Sequence, residues 1–339
     1  MTTSLVVQTS FLGDMVLTTP LLAYLADAGP VDVVCTPAAG ALLANHPSVR
    51  EVIVYDKRGR DRGSIGVVRL ALRLRERAYS AAYLAQGSVR SGVLTLMARV
   101  PERVGFVTSA GRWFYTTRVA PIENTHHAAR LLSLGTRDPL RDVPIAQLRP
   151  RLYPGARERA AVDEVFGASA IDGEQIVTVA PGSVWATKRW PYFPQLAHEL
   201  RDVGRIAVVG TEADRPLALE IVAATKGQAV DATGKLSLLA SAELIGRSAL
   251  LVTNDSAPLH LGSAMNTPTV AVFGPTVPEF GFGPLATQSV VAGHTSLACR
   301  PCDRHGPMRC PLGHWRCMRE ITANDVASLA RELLTSRIS

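Results

Sequence analysis

The sequence predicts an α/β chain made of two doubly wound parallel-sheet halves, and three observations carry that prediction. The chain has 339 residues, about twice the ~150 typical of one domain. Short β-branched runs alternate with stretches of helical period over most of that length, the pattern of successive strand–helix–strand units. The alternation breaks once, near the middle, at a charged segment that contains Pro154.

In the first half, strands are expected at Ser4–Val7, Val31–Cys35, Glu51–Tyr55, Ala82–Ala85 and Arg103–Phe106. Helices fall between them near Asp14–Asp27, Ala39–Asn45, Ile65–Arg77 and Val89–Arg99, and one over Asn124–Leu134 closes the half. Residues from about Leu148 to Gly173 read as the connection. The second half has strands at Ile176–Ala180, Arg205–Val209, Ala229–Asp231, Leu250–Thr253, Thr269–Phe273 and Ser289–Val291. Its helices lie near Tyr192–Asp202, Arg215–Ala224, Leu236–Gly246 and Ala257–Met265. The resulting division is 1–160, 173–320 and a closing segment 321–339. Halves of this kind hold a ligand at the carboxyl ends of their strands.

Composition excludes several classes. At 47% hydrophobic residues the chain is not disordered, and five cysteines in this length are no disulfide scaffold. Met1–Val7 has neither a basic n-region nor a small-residue cleavage site. No apolar stretch approaches the ~18 residues of a membrane helix, so a soluble, cytoplasmic protein is expected. The net charge is +7. Only Lys57, Lys188, Lys226 and Lys235 among the 36 basic residues are lysines, a skew that reads as base composition. The arginines are scattered and aromatics are only 6%, whereas a nucleic-acid surface clusters both; no nucleic-acid partner is expected. From Val67 to Tyr83, Arg69, Arg73, Arg75 and Arg77 alternate with apolar residues at helical spacing. That pattern fits a helix packed on a sheet with solvated arginines or, as the alternative, one associated peripherally with the inner membrane surface.

The chemistry-bearing segments follow the strands. Neither G-x-x-x-x-G-K-[ST] nor a G-x-G-x-x-G after the first strand is present. Instead Leu12-Gly13-Asp14 follows the first strand, with Asp14 either capping the next helix or facing a cleft. After the strand that opens the second half come Pro181-Gly182-Ser183 and Lys188-Arg189-Trp190-Pro191, a hydroxyl and a point charge suited to phosphate. Asn254-Asp255-Ser256 then leads into a helix with Pro258 in its first turn, where free N–H groups attract anions and Asp255 suits a sugar hydroxyl. His260 lies one turn further on, and Glu212 follows another strand end.

This set, with Phe273-Gly274-Pro275-Thr276, resembles glycosyltransferase family 9, the ADP-heptose lipopolysaccharide heptosyltransferases, and most closely the heptosyltransferase II branch. The resemblance spans nearly the whole chain in the family's order. It implies a GT-B fold: two Rossmann-like doubly wound domains facing each other across a cleft, with the ADP-sugar donor on the C-terminal domain and the acceptor on the N-terminal one. The last helix, about Ala323–Leu334, would cross back to the first domain. The implied reaction is inverting transfer of a heptose from ADP-heptose to an acceptor hydroxyl in lipopolysaccharide inner-core synthesis, with no cofactor required for catalysis. Asp14 matches the family's candidate general base. Lys188 and Ser183 match contacts to the donor diphosphate, Glu212 and Asp255 match carboxylates on donor hydroxyls, and His260 falls on the family histidine. Ser256, Gly274 and Thr276 complete the expected donor set, and Arg58, Arg60 and Arg62 would meet an anionic glycolipid acceptor. Ala257 stands where the family commonly has Gly, and Gln8 and Thr9 where a basic residue is frequent. A different sugar, a small-molecule or protein acceptor, or a nucleotide-sugar epimerase of the same fold are the alternatives.

Cys299, Cys302, Cys310 and Cys317 are spaced C-x2-C-x7-C-x6-C, as in tetrahedral thiolate sites. Related autotransporter heptosyltransferases bind iron at comparable cysteines, so the resemblance leaves structural zinc and iron both open, with reduced thiols as the alternative. His305 and His314 are substitute ligands, and Cys35 reads as a buried strand residue. His126 and His127 open a helix about 100° apart, a poor bidentate pair.

Overall fold

The computed structural model describes residues 2–138, 140, 143–167 and 174–335. The chain divides into Met1–Tyr153 and Pro154–Ser339, each built on one six-stranded sheet in which every strand pair is parallel.

In the first unit the strands are β1 (Ser4–Gln8), β2 (Val31–Cys35), β3 (Glu51–Val54), β4 (Ala81–Leu84), β5 (Glu102–Phe106) and β6 (Thr117–Val119), in the order β3-β2-β1-β4-β5-β6. Every residue of β1, β2 and β4 is buried. Strands covered on both faces read as continuous apolar runs, which is why they were legible. Short β6 extends the sheet beyond the expected five strands. The chain runs outward from β1 to β3 and resumes on the other side at β4, so the crevice of this sheet opens between β1 and β4. The helix over Leu12–Ala26 follows β1 and carries Pro20 in its interior. Proline cannot donate to the carbonyl four residues back; the Thr19 hydroxyl donates to that Val16 carbonyl at 2.8 Å instead.

The second sheet has β7 (Ile176–Ala180), β8 (Arg205–Val208), β9 (Val230–Asp231), β10 (Leu250–Asn254), β11 (Thr269–Phe273) and β12 (Ser289–Gly293), in the order β12-β11-β10-β7-β8-β9. Its switch point lies between β7 and β10. The GT-B expectation of two such doubly wound sheets is met.

The helix Ala156–Phe166 lies in the segment read as a connection and packs on the helix Leu238–Arg247 of the second unit. The Arg247 guanidinium donates to Asp163 at 2.5 Å across that contact. The first unit runs to Tyr153 and the helix belongs to the second; residue 173 lies outside the described residues. The helix Ala323–Thr335, expected on the first domain, buries Val326, Ala327 and Ala330 in the core of the second sheet. It packs against the helix Phe193–Glu199 and strands β10 to β12; its apolar stripe is used there.

Candidate functional site

At the second switch point, the end of β10 hands the chain to the helix Ala257–Met265. Asn254 holds this corner: its side-chain oxygen accepts from the Trp190 N–H at 3.1 Å, and its amide donates to the Pro181 carbonyl at 2.8 Å. Both loops that carry the predicted donor residues are thereby fixed to one side chain. Beside it, Lys188 Nζ donates to Asp255 Oδ2 at 2.6 Å, and the Thr276 hydroxyl donates to the same oxygen at 2.7 Å. The lysine and aspartate side chains are 10% and 9% exposed. Lys188, Asp255 and Thr276, 88 residues apart at the extremes of the sequence, thus form one cluster.

The other predicted donor residues surround it unevenly. Gly182 packs so closely on the Asp214 carboxylate that a Cβ would lie 2.4 Å from Oδ1. The Thr211–Asp214 turn carrying Glu212 therefore abuts the Gly182-Ser183 loop. Glu212 itself is exposed and pairs with Arg215 at 3.2 Å. Ser183 Oγ accepts from the Trp185 N–H at 3.3 Å. Ser256 is the residue before the helix and makes no side-chain cap, which leaves its hydroxyl at the helix N-terminus. His260 is buried, edge-on to Phe282 at 6.3 Å. Gly274 is pressed against Met318, whose sulfur would lie 2.7 Å from a Cβ there; it serves packing in this structure.

The cysteine-rich loop closes over the lysine. Gly306, at φ +85°, lies against the Lys188 stem, its Cβ position 3.2 Å from Cε, and the Thr187 hydroxyl donates to the Pro307 carbonyl. Arg300 donates to the carbonyls of Phe273 and Thr276 at 3.0 and 2.9 Å and to that of His294. The Cys302 N–H donates to the Pro275 carbonyl at 2.8 Å. The sequence left this loop open between a structural metal and reduced thiols, and carried no sign that it braces the predicted donor residues.

Cys299 Sγ lies 3.9 Å from His314 Nε2, and Cys302 Sγ donates to the Cys299 carbonyl at 3.2 Å. Burial favours the protonated thiol at Cys310, but N–H groups of Trp315, Leu312, Gly313 and His314 outweigh it and lower its pKa. Burial pushes Cys317 up to about 11 and, first among its causes, also raises Cys302. Among the described residues, no group of three His, Cys, Asp or Glu side chains is spaced to hold one ion.

At the first switch point, Asp14 sits in the first turn of its helix, where a carboxylate is favoured by the helix dipole. Its Oδ2 accepts from the Ser10 hydroxyl at 2.6 Å, and its Oδ1 lies 3.6 Å from His127 Nε2. His127 belongs to a helix 113 residues away, and the adjacent His126 caps that helix through Nδ1, which accepts from the Ala128 N–H at 3.1 Å.

A cavity of about 510 Å³ opens beyond β1, β3 and β4. Thr9, Tyr55, Lys57, Arg58, Gln86 and Arg90 line it. Lys57 Nζ donates to the Thr9 carbonyl at 2.5 Å, and the Thr9 hydroxyl donates to Gln86 at 2.6 Å. Burial, with Arg58 and Arg90 nearby, lowers the Lys57 pKa. Of the three predicted acceptor arginines only Arg58 lines this cavity; Arg60 and Arg62 are exposed outside it, Arg60 facing Asp61 at 3.8 Å. Lys57, Gln86 and Arg90 went unseen in the sequence because two segments distant in the chain, the turn after β3 and the start of the helix Val89–Met97 with the connection before it, bring them together.

Two parallel Rossmann-like sheets, one with a buried lysine–carboxylate cluster and one with a carboxylate–histidine pair beside a basic cavity, define a two-domain transferase of the GT-B class. Comparison narrows the class. The sequence profile of glycosyltransferase family 9 (heptosyltransferase) matches residues 67–314. Lipopolysaccharide heptosyltransferase 2 of Escherichia coli K12 is 30% identical over 297 residues, covering 81% of this chain and 84% of its own. Lipopolysaccharide heptosyltransferase 1 of Pseudomonas aeruginosa is 28% identical over 336 residues, covering 88% and 85%. The solved structure of E. coli ADP-heptose lipopolysaccharide heptosyltransferase II superposes with a TM-score of 0.81 at 25% identity, over 100% of both chains. The chain belongs to glycosyltransferase family 9 and is a glycosyltransferase.

Proposed function

We propose that this protein transfers a heptose from ADP-heptose to an acceptor hydroxyl of the lipopolysaccharide inner core, from the cytoplasm, with inversion at the transferred carbon. The observation that carries this reading is the Lys188–Asp255–Thr276 cluster at the strand ends of the second unit. A diphosphate leaving group gains charge as its bond to the sugar breaks, and a preorganised cation offsets that charge. Lys188 supplies the cation, and the uncapped N-terminus of the helix Ala257–Met265 adds backbone N–H groups. Asp255 orients Lys188, and its second oxygen, with Glu212, suits donor hydroxyls.

The acceptor side rests on the first unit. Asp14 accepts the hydroxyl proton as the acceptor oxygen bonds to the anomeric carbon and the bond to ADP breaks. The Ser10 bond holds Oδ2 in place, and His127 faces Oδ1. The basic cavity of Lys57, Arg58 and Arg90 suits an anionic glycolipid. The names of the relatives support the heptose and the lipopolysaccharide: both matched enzymes are lipopolysaccharide heptosyltransferases. The test is ADP release and product mass with ADP-heptose and a heptose-deficient core acceptor. Transfer of one heptose is expected. A product formed from the donor alone would identify an epimerase instead, and transfer only from another nucleotide sugar would sink the heptose assignment.

For the four-cysteine loop we propose structural zinc or iron with no catalytic part. The lowered pKa of Cys310 supports a thiolate there, and a structural neighbour is described as an iron-containing glycosyltransferase from E. coli. The sulfurs as placed do not surround a single point, and no step of the reaction runs through a metal. Elemental analysis of the purified chain decides between loaded and reduced thiols.

A further inference from the structure

We infer that the outer face of the helix Gly63–Arg75 is a docking surface for an anionic lipid bilayer. The inference extends the glycolipid reading of the acceptor. The buried side of this helix is Gly66, Val67, Leu70, Ala71 and Leu74. That stripe satisfies the sheet, yet three further large apolar residues remain outside it: Ile65, Val68 and Leu72 are 72%, 41% and 55% exposed. At about 100° per residue, these three fall within ~60° of one another, opposite the buried stripe. They form a ridge at the solvent apex. Arg69 and Arg73 stand on one shoulder and Arg75 on the other, all exposed.

A helix with apolar residues on both its inner and outer faces and arginines on the shoulders is matched to a layer that is anionic outside and apolar within. The surroundings continue the pattern. The helix Val89–Met97 packs beside it and exposes Leu96 and Met97. The 3-10 turn Arg112–Phe114 packs on that helix in turn and exposes Trp113, whose ring lies 4.9 Å from the Arg112 guanidinium and 5.8 Å from that of Arg118. Tryptophan and arginine together favour a headgroup layer.

Charge selects a bilayer over a second copy of the chain. Lys57 through Arg77 contains eight basic residues and only Asp61 and Glu76 as acids. An isologous dimer through this face would bring the same excess against itself, whereas anionic lipid neutralises it. The loop that ends in this helix also supplies Lys57 and Arg58 to the cavity, so a docked helix would hold the acceptor cavity next to the membrane.

The experiment is co-sedimentation of the full chain with vesicles of phosphatidylglycerol and phosphatidylethanolamine, compared with phosphatidylcholine alone, without donor or acceptor. Binding is expected to the anionic vesicles, reduced at least tenfold by the pair Ile65→Asp and Leu72→Asp and by the pair Arg69→Glu and Arg73→Glu. Both pairs change exposed side chains, so unchanged thermal melting and unchanged turnover of a detergent-dispersed acceptor are expected. No binding by the parent chain, or binding that both pairs leave intact, overturns the inference. A dimer in solution that the Ile65→Asp and Leu72→Asp pair dissolves would assign the face to a second copy and overturn it too. Because the vesicles hold no sugar substrate, this result is independent of whether heptose transfer is observed.

Discussion

Lys188 and Asp255 form a 2.6 Å ion pair with both side chains about nine-tenths buried, where either charge alone would be costly. Replacing Lys188 with Met removes the cation from the leaving group and strands the carboxylate. Losing one preorganised electrostatic contact costs ~10²–10³-fold in kcat, and breaking a buried pair from one side costs ~3–5 kcal/mol of stability. The expected result is both a loss of turnover in an ADP-release assay and a lower Tm. Asp255→Asn keeps an oxygen for Thr276 but strands the buried Lys188 ammonium, so a fall in Tm of the same order is expected.

Asp14 should separate chemistry from donor binding. Asp14→Asn preserves size and the bond from Ser10 but removes the proton acceptor. A general base contributes ~10²–10⁴-fold, so kcat should fall within that range. Calorimetric titration with ADP should give an affinity within about twofold of the parent. Retained turnover would remove Asp14 from the mechanism.

How far these groups were legible in the sequence depends on what held them in place. Strands such as Val31–Cys35 and Thr269–Phe273 are buried along their length, so each appears as a mostly apolar, β-branched run, broken only by Asp32 in the first and opened by Thr269 in the second. Thr117–Val119 alternates Thr, Arg and Val at a sheet edge, and three residues show no period. The helix Ala156–Phe166 buries only Val162 and Phe166, too few to mark it amid its charges. Asp14, Lys188 and Asp255 lie just after strands, where position alone suggests a site. His127, Lys57 and Arg90 reach their partners by tertiary packing, and neighbouring residues carry no trace of it. Arg300 is the clearest case: only the fold shows that it caps three carbonyls around Thr276.

Arg300 should therefore act as a positioning residue for the donor. It is half-buried, and burial lowers its pKa despite nearby Cys317 and Glu279. Its bonds hold the Phe273–Thr276 segment that delivers Thr276 to Asp255. Arg300→Met is expected to raise KM for the nucleotide sugar several-fold while KM for the acceptor stays unchanged. A merely structural loss would lower the amount of active enzyme and leave both KM values alone. Arg300→Lys, which cannot cap three carbonyls in one plane, should restore only part of the difference.

The cysteines should separate by reactivity in the reduced, chelator-treated chain. Thiolate is the nucleophile. Cys310 has its pKa lowered by backbone N–H groups, whereas burial pushes Cys317 up to about 11 and Cys35 up to about 12. Brief iodoacetamide treatment near neutral pH followed by peptide mass spectrometry should label Cys310 first and Cys35 last. If metal is bound before chelation, labelling of all four loop cysteines should rise when it is removed. Equal labelling with and without chelator would mean that the thiols are simply reduced.

Acid sensitivity should begin with His46 rather than with the carboxylates. His46 is 5% exposed, its Nδ1 accepts from the Ser48 N–H at 3.2 Å, and Nε2 has no hydrogen-bond partner among the described residues. Burial pushes its pKa down to about 4, against ~6.5 in the unfolded chain. The neutral ring is the folded form, so its contribution is complete above pH ~6.5 and is lost as pH falls toward 4, in total about 3 kcal/mol at ~1.4 kcal/mol per unit. Asp32 acts in a lower window. Burial alone would raise its pKa, but bonds from Arg50 and Tyr79, with Arg77 close by, outweigh burial and hold it below the ordinary 3.8. Its stabilisation is present above that value and disappears only below it. Urea unfolding of the parent should therefore show stability declining between pH 6.5 and 4.5. His46→Phe keeps an aromatic ring against Tyr153, 5.0 Å away in the parent, and cannot be protonated. That variant should lose most of the slope in this interval, whatever its stability at pH 8; an unchanged slope would assign the acid sensitivity elsewhere.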